Sequence, residues 1–197
     1  MPRTSVHTRE ESLEKALHLF WRRGYNATSL KDIERALDMR PGSIYAKFGS
    51  KEDLFNKALD RYAEQAMAEL ERVLSSHPSP LGGLVAYIRM LGGLRDRNAT
   101  CEACMLVKSL LEFSEREPAI ARRVEKILAR MEQRFTERLT EARAAGEVAT
   151  DLVPERFGRR LQADVVGLRT VAQRDVEDRV VRELAEDIAR SWERLQQ

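Results

Sequence analysis

Between Arg9 and Leu195 the apolar residues of this chain return at every third or fourth position, and glycine or proline separates one such stretch from the next. That spacing puts apolar side chains on one face of an α-helix, whereas a half-buried strand would alternate. Leu13, Ala16, Leu17 and Phe20 form the first stripe, which stops at Gly24. Leu30, Ile33, Ala36 and Leu37 follow Thr28, whose hydroxyl is placed to cap a short second helix. Asp38-Met39 breaks the pattern and Arg40-Pro41 restarts it, with Ile44, Tyr45 and Phe48 as the inward side of a third helix. Ser50, with Asp53 three residues on, opens a long fourth helix that runs through Leu74. The prolines of Ser75–Pro80 end it and mark the best domain boundary. Helical patterns over 81–97, 102–114, 118–145, 155–174 and 176–195 complete an all-α expectation of about nine helices and no convincing strand.

Composition removes several classes. The 197 residues are 43% hydrophobic, enough for a core and too much for a self-repelling disordered chain. No stretch approaches the roughly 18 consecutive apolar residues of a membrane helix, and the N-terminus lacks the apolar block of a secretory signal. The expectation is a cytoplasmic protein without a membrane partner. Cys101 and Cys104 are too few for a disulfide scaffold and suit a reducing compartment. A zinc site needs further ligands at recognisable spacing, and His7, His18 and His77 are scattered, so neither a metal nor another cofactor is expected. Phosphate loop, nucleophile elbow and zinc-protease motifs are all missing, which argues against an enzyme. The alternative is a helical thiol redox protein, or a redox-sensing regulator, built on Cys101 and Cys104, because a helix N-terminus lowers a thiol pKa.

The second and third stripes make the sharpest pattern. Two short helices joined by a tight turn match a helix-turn-helix, whose second helix lies in the DNA major groove. Gly42, Ser43 and Ala46 let a backbone approach base edges, and Arg40 and Lys47 can reach guanine or phosphate. Residues 1–61 carry 12 Lys/Arg and 9 Asp/Glu, a net +3, against 22 and 23 in the remainder. From Met39 to Lys51 there are three basic residues and no acid. Lys51 and the amides after Gly49 are placed to bind a phosphate at the positive end of the fourth helix.

The run from Thr28 to Phe55 resembles the DNA-binding domain of the TetR family of bacterial regulators. Thr28, Ile33, Ala36, Gly42, Tyr45, Phe48, Ser50, Lys51, Glu52 and Leu54 fall on the steps of that pattern. The chain departs from it at Asp38, where glycine is usual in the turn, and at Arg40, where serine often precedes the recognition helix. The resemblance implies a DNA-binding regulator with a helix-turn-helix domain at 1–50, a connecting helix at 51–75 and a helical domain at 76–197. The candidate DNA contacts are Thr28, Ser29, Arg40, Pro41, Gly42, Ser43, Tyr45, Ala46, Lys47 and Lys51.

By the same resemblance, residues 76–197 bind a small-molecule effector and form a homodimer through the last two helices, and the protein is a repressor released from operator DNA by its ligand. Phe157, Leu161, Val165 and Leu168 form one stripe and Val181, Leu184, Ile188 and Trp192 another, which are the candidate dimer residues. Met90, Leu94, Met105, Leu111, Met131 and Phe135 are candidate pocket residues, with Lys108 and Glu112 as polar handles or as a solvent-facing i, i+4 pair. Cys104 matches a cysteine common in resembling sequences, and Cys101 is additional.

Overall fold

The computed structural model describes residues 8–95, 103–113 and 117–196. Within them lie α1 (Arg9–Arg23), α2 (Leu30–Leu37), α3 (Pro41–Phe48), α4 (Lys51–Ser75), α5 (Pro80–Gly92), α6 (Met105–Phe113), α7 (Pro118–Ala144), α8 (Pro154–Ala172) and α9 (Asp178–Glu193). Beyond helices, the described residues contain a single isolated bridge pairing Val148 with Gln196. Two compact units result. The first holds α1–α3, α4 as far as Gln65, and residues 105–124; the second holds 66–104 and 125–197.

Local chemistry sets the ends of the helices. Thr8 and Glu11 close a capping box on α1. The cap of α2 is Ser29, not Thr28. Ser29 Oγ accepts from the Asp32 amide, and the Asp32 carboxylate accepts from the Ser29 amide at 2.9 Å. Thr28 is fully buried and donates its hydroxyl to the Gly24 carbonyl at 2.6 Å, so it ties the loop before α2 to the end of α1. Ser50 and Asp53 repeat the reciprocal arrangement at α4, with amide-to-side-chain distances of 2.9 and 3.0 Å.

Ala16, Leu17 and Phe20 of α1, Ile33 and Leu37 of α2, and Ile44 and Phe48 of α3 are buried in the first unit with Leu54, Phe55 and Leu59 of α4. Phe20 meets Phe55 edge-on at 5.0 Å. The second unit packs α5 against α8 and α9 around Leu84, Ile88, Leu91, Leu161, Leu168, Val181 and Trp192, all at most 1% exposed. Gly92 has a steric reason: a Cβ there would stand 2.8 Å from that of Ala185 on α9. Gly92 therefore lets the end of α5 pass α9 at close range.

Asp32 yields a pH prediction. Hydrogen bonds from the Ser29 hydroxyl and amide, then Arg23, hold its carboxyl down from 3.8 to about 2. A depressed carboxyl stabilises the fold above its unfolded value and stops doing so as pH falls through its folded value. Asp32→Asn is expected to melt below the wild type at neutral pH, with the difference closing between about pH 4 and pH 2. Thermal melts followed by circular dichroism check this, and a pH-independent difference would show that the charge is not responsible.

Candidate nucleic-acid interface

The turn between α2 and α3 is closed by Asp38, which adopts φ 52 and ψ 46, the left-handed conformation that ends many helices. It is the one non-glycine residue with positive φ among those described. Aspartate visits this region more readily than most residues, so the usual glycine is not required. Its amide and that of Met39 both return to the Glu34 carbonyl. Arg40 then precedes α3 in extended conformation and makes no side-chain cap, while Pro41 occupies the first helical turn.

Ile44 and Phe48 anchor α3, at 6% and 2% exposure. Tyr45 does not join them. It is 46% exposed, because one residue's 100° rotation carries it past the edge of a buried face only two residues wide on so short a helix. Pro41, Gly42, Ser43 and Ala46 are exposed with it, as are Arg40 and Ser29, and a Cβ on Gly42 would meet nothing within 4 Å. These form a low-relief surface with a phenol, a hydroxyl and a guanidinium at its margin. Lys47 is half-buried, donating to Ser12 Oγ at 3.3 Å with its ammonium 5.7 Å from the Phe48 ring centre. The Lys51 ammonium lies 4.1 Å from the centre of the Tyr25 ring. Thr28, buried beneath the surface, is the one candidate DNA contact that is fully buried.

Two carboxylates near this region, those of Asp32 and Asp53, are turned onto helix caps. Hydrogen bonding from the Ser50 amide and hydroxyl lowers the Asp53 pKa, as Ser29 does for Asp32. The acids nearest in sequence to the Arg40–Lys51 stretch are Asp38 and Glu52, both exposed.

Among the candidate pocket residues, Leu94, Met131 and Phe135 are buried and Met90 half-buried in the second unit. Met105, Lys108, Leu111 and Glu112 belong to the first. Leu111 is 78% exposed. Lys108 and Glu112 are neither pocket handles nor a mutual ion pair. Lys108 Nζ donates to the Trp21 carbonyl at 2.7 Å, and the Glu112 carboxylate accepts the Tyr25 and Asn26 amides at 3.0 and 2.6 Å. Sequence reasoning missed Tyr87, which is 3% exposed, 6.1 Å from the Phe135 ring and pushed by burial up to about 12.

The apolar stripes of α8 and α9 turn out to face their own unit. Leu161, Val165, Leu168, Val181 and Trp192 are at most 6% exposed within the single chain, with Phe157, Leu184 and Ile188 packed partly against them. The interior of the second unit thus occupies the buried part of these stripes. Cys104 is partly buried, and Cys101 lies outside the described residues. Among the described residues no group of three His, Cys, Asp or Glu could hold a metal ion, and no helix is long and apolar enough to cross a membrane.

The capped α2, left-handed turn and open-faced α3 define a helix-turn-helix DNA-binding regulator. Residues 13–58 match the model described as bacterial regulatory proteins, tetR family, and residues 80–188 match the tetracyclin repressor-like C-terminal domain. The second match alone spans more than half of the chain, which belongs to the TetR family. It is 26% identical to the HTH-type transcriptional repressor ComR of Escherichia coli K12, over 98% of this chain and 92% of that protein. It is 30% identical to the HTH-type regulator YezE of Bacillus subtilis 168, over 69% and 70%. A cysteine mutant of the TetR family regulator CifR, solved with 26-base-pair operator DNA, superposes with a TM-score of 0.87 at 28% identity, covering 98% of this chain and all of that one.

Proposed function

We propose that the protein is a homodimeric repressor whose α3 reads one operator half-site per subunit and which leaves its operator when a small molecule binds the helical C-terminal region. The exposed, uncapped α3 carries the DNA reading. In our assignment residues 1–50 form the reading head, 51–75 the connecting helix, and 76–197 the effector and pairing region. Similarity to ComR, a repressor, and to CifR, solved on operator DNA, supports this assignment.

Arg40, Gly42, Ser43, Tyr45 and Ala46 face the bases in this reading, with Ser29, Pro41, Lys47 and Lys51 directed to the backbone. Gel retardation on the DNA flanking the gene tests it, and no retardation at low salt overturns it. Lys51→Ala is expected to weaken binding on all sequences and to reduce the salt slope by about one phosphate's share, roughly 0.9. Arg40→Ala is expected to cost about 1–3 kcal/mol on the operator and to relax base preference at one position. Equal effects of both substitutions across operator variants would remove these roles.

The pairing surface is assigned to the outward sides of α8 and α9. Gly167 lies exposed in the middle of α8, and a Cβ there would meet nothing within 4 Å. Glycine at an exposed helix interior costs about 1 kcal/mol relative to alanine and gains nothing in an isolated chain. Ala163 and Thr170 flank it and are also exposed, while α9 presents Val180 at 39% exposure beside the half-buried Leu184 and Ile188. A second copy approaching closely accounts for a glycine that the single chain does not need. Met90, Leu94, Met131 and Phe135 would receive an apolar portion of the effector within the second unit.

A further inference from the structure

The α1–α2 turn is held from α6, a segment some 86 residues away in the chain. Glu112 takes the Tyr25 amide on one carboxylate oxygen and the Asn26 amide on the other. One turn earlier on α6, Lys108 donates to the Trp21 carbonyl at 2.7 Å and to the Arg22 carbonyl at 3.3 Å. The pair thus binds unsatisfied carbonyls at the end of α1 and free amides just past it, each with the charge that suits it. Gly24 sits between the two sets with φ 80, and a Cβ there would approach Glu112 Oε2 to 3.0 Å. The carboxylate is pressed against the turn.

What that turn carries is Tyr25. Its ring is seated edge-on against Phe55 at 5.0 Å and Phe113 at 5.2 Å, and its face supports the Lys51 ammonium. We propose that Glu112 is a positioning residue for DNA binding: by fixing the Tyr25–Asn26 backbone it fixes the aromatic platform on which Lys51 is presented to a DNA phosphate. The inference rests on the phosphate role given to Lys51 above. Glu112 is also a negative charge near Lys51, and neutralising it would relieve competition with phosphate. That effect is screened at a half-exposed lysine, whereas two charge-assisted hydrogen bonds to backbone amides set the geometry, so positioning dominates.

The test is a double-mutant cycle of Glu112→Gln and Lys51→Ala, read as binding to a random-sequence duplex of about 30 base pairs over a range of salt, since a phosphate contact carries no sequence information. Glu112→Gln is expected to weaken binding about three- to tenfold in the wild-type background and less than about twofold where Lys51 is already alanine. Its salt slope should also fall towards that of Lys51→Ala, which a general loss of stability would not produce. An equal cost in both backgrounds, an unchanged slope or tighter binding overturns the proposal. Should Glu112→Gln fail to fold, Tyr25→Leu removes the platform with the α6 clamp in place and must show the same dependence on Lys51. Wild-type protein that binds neither this duplex nor the flanking DNA would refute the DNA-binding reading itself; a wild type that binds, with an additive cycle, refutes only the role of Glu112.

Discussion

Trp192→Ala is expected to destabilise the second unit by about 3–5 kcal/mol, the usual range for removing a fully buried large aromatic side chain. Trp192 is 0% exposed, meets Phe157 edge-on at 6.0 Å, and lies 5.2 Å from the Arg160 guanidinium. It also donates its indole N–H to Asp164 at 2.8 Å, so truncation leaves both a cavity and a carboxylate without its donor. Trp192→Phe restores much of the volume but not the donor, and an intermediate cost of about 1–3 kcal/mol would isolate the polar part. Urea unfolding followed by circular dichroism measures both. Because the chain has two tryptophans, the fluorescence remaining in these variants reports on Trp21 in the first unit. A cost below about 1 kcal/mol for the alanine variant would contradict the packing described for α9.

Gly167→Arg is expected to separate pairing from folding. In the monomer the new side chain enters open space and replaces the weakest helix former but proline, so stability should be unchanged or higher by roughly 0.5–1 kcal/mol. In the proposed dimer it would stand where two backbones approach, and ultracentrifugation is expected to show the wild type paired at concentrations where the variant is a monomer. Operator affinity should then fall by about two orders of magnitude or more, since one tethered head no longer raises the effective concentration of the other. A variant that stays dimeric and binds operator normally would move the pairing surface elsewhere. Variants in Leu161 or Val181 could not make this distinction, because both are fully buried and their loss disturbs the fold first.

That contrast shows where sequence reading reaches its limit. Apolar periodicity identifies the face of a helix that leaves water but not what covers it, and for α8 and α9 the cover is the chain's own second unit. The ends of the helices were more legible because caps are local. Gly24, Pro41 and the Ser50–Asp53 pair fall where their chemistry demands. Even the misplaced cap had a visible signal, since Asp32 lies three residues after Ser29 and four after Thr28, and a capping box needs three. Tyr45 was harder: a phenol beside Ile44 reads as core until the narrowness of the buried face is known. Lys108 and Glu112 were beyond reach, because their partners are backbone groups of a distant turn, and an i, i+4 pair on an apolar helix gives no hint of them.

The treatment of Asp32 and Asp53 bears on how such a protein would find its site. The chain carries a net charge of only +2, and two of the carboxylates near its α3 surface, those of Asp32 and Asp53, are held on backbone amides. Holding these two charges on helix caps limits local repulsion of phosphate without adding positive charge to the whole chain. A genome offers on the order of 10⁶–10⁹ competing positions, and a strongly cationic protein is detained at most of them. A nearly neutral chain is expected to be held less at such positions, which a shallow salt dependence of binding to random-sequence DNA would show.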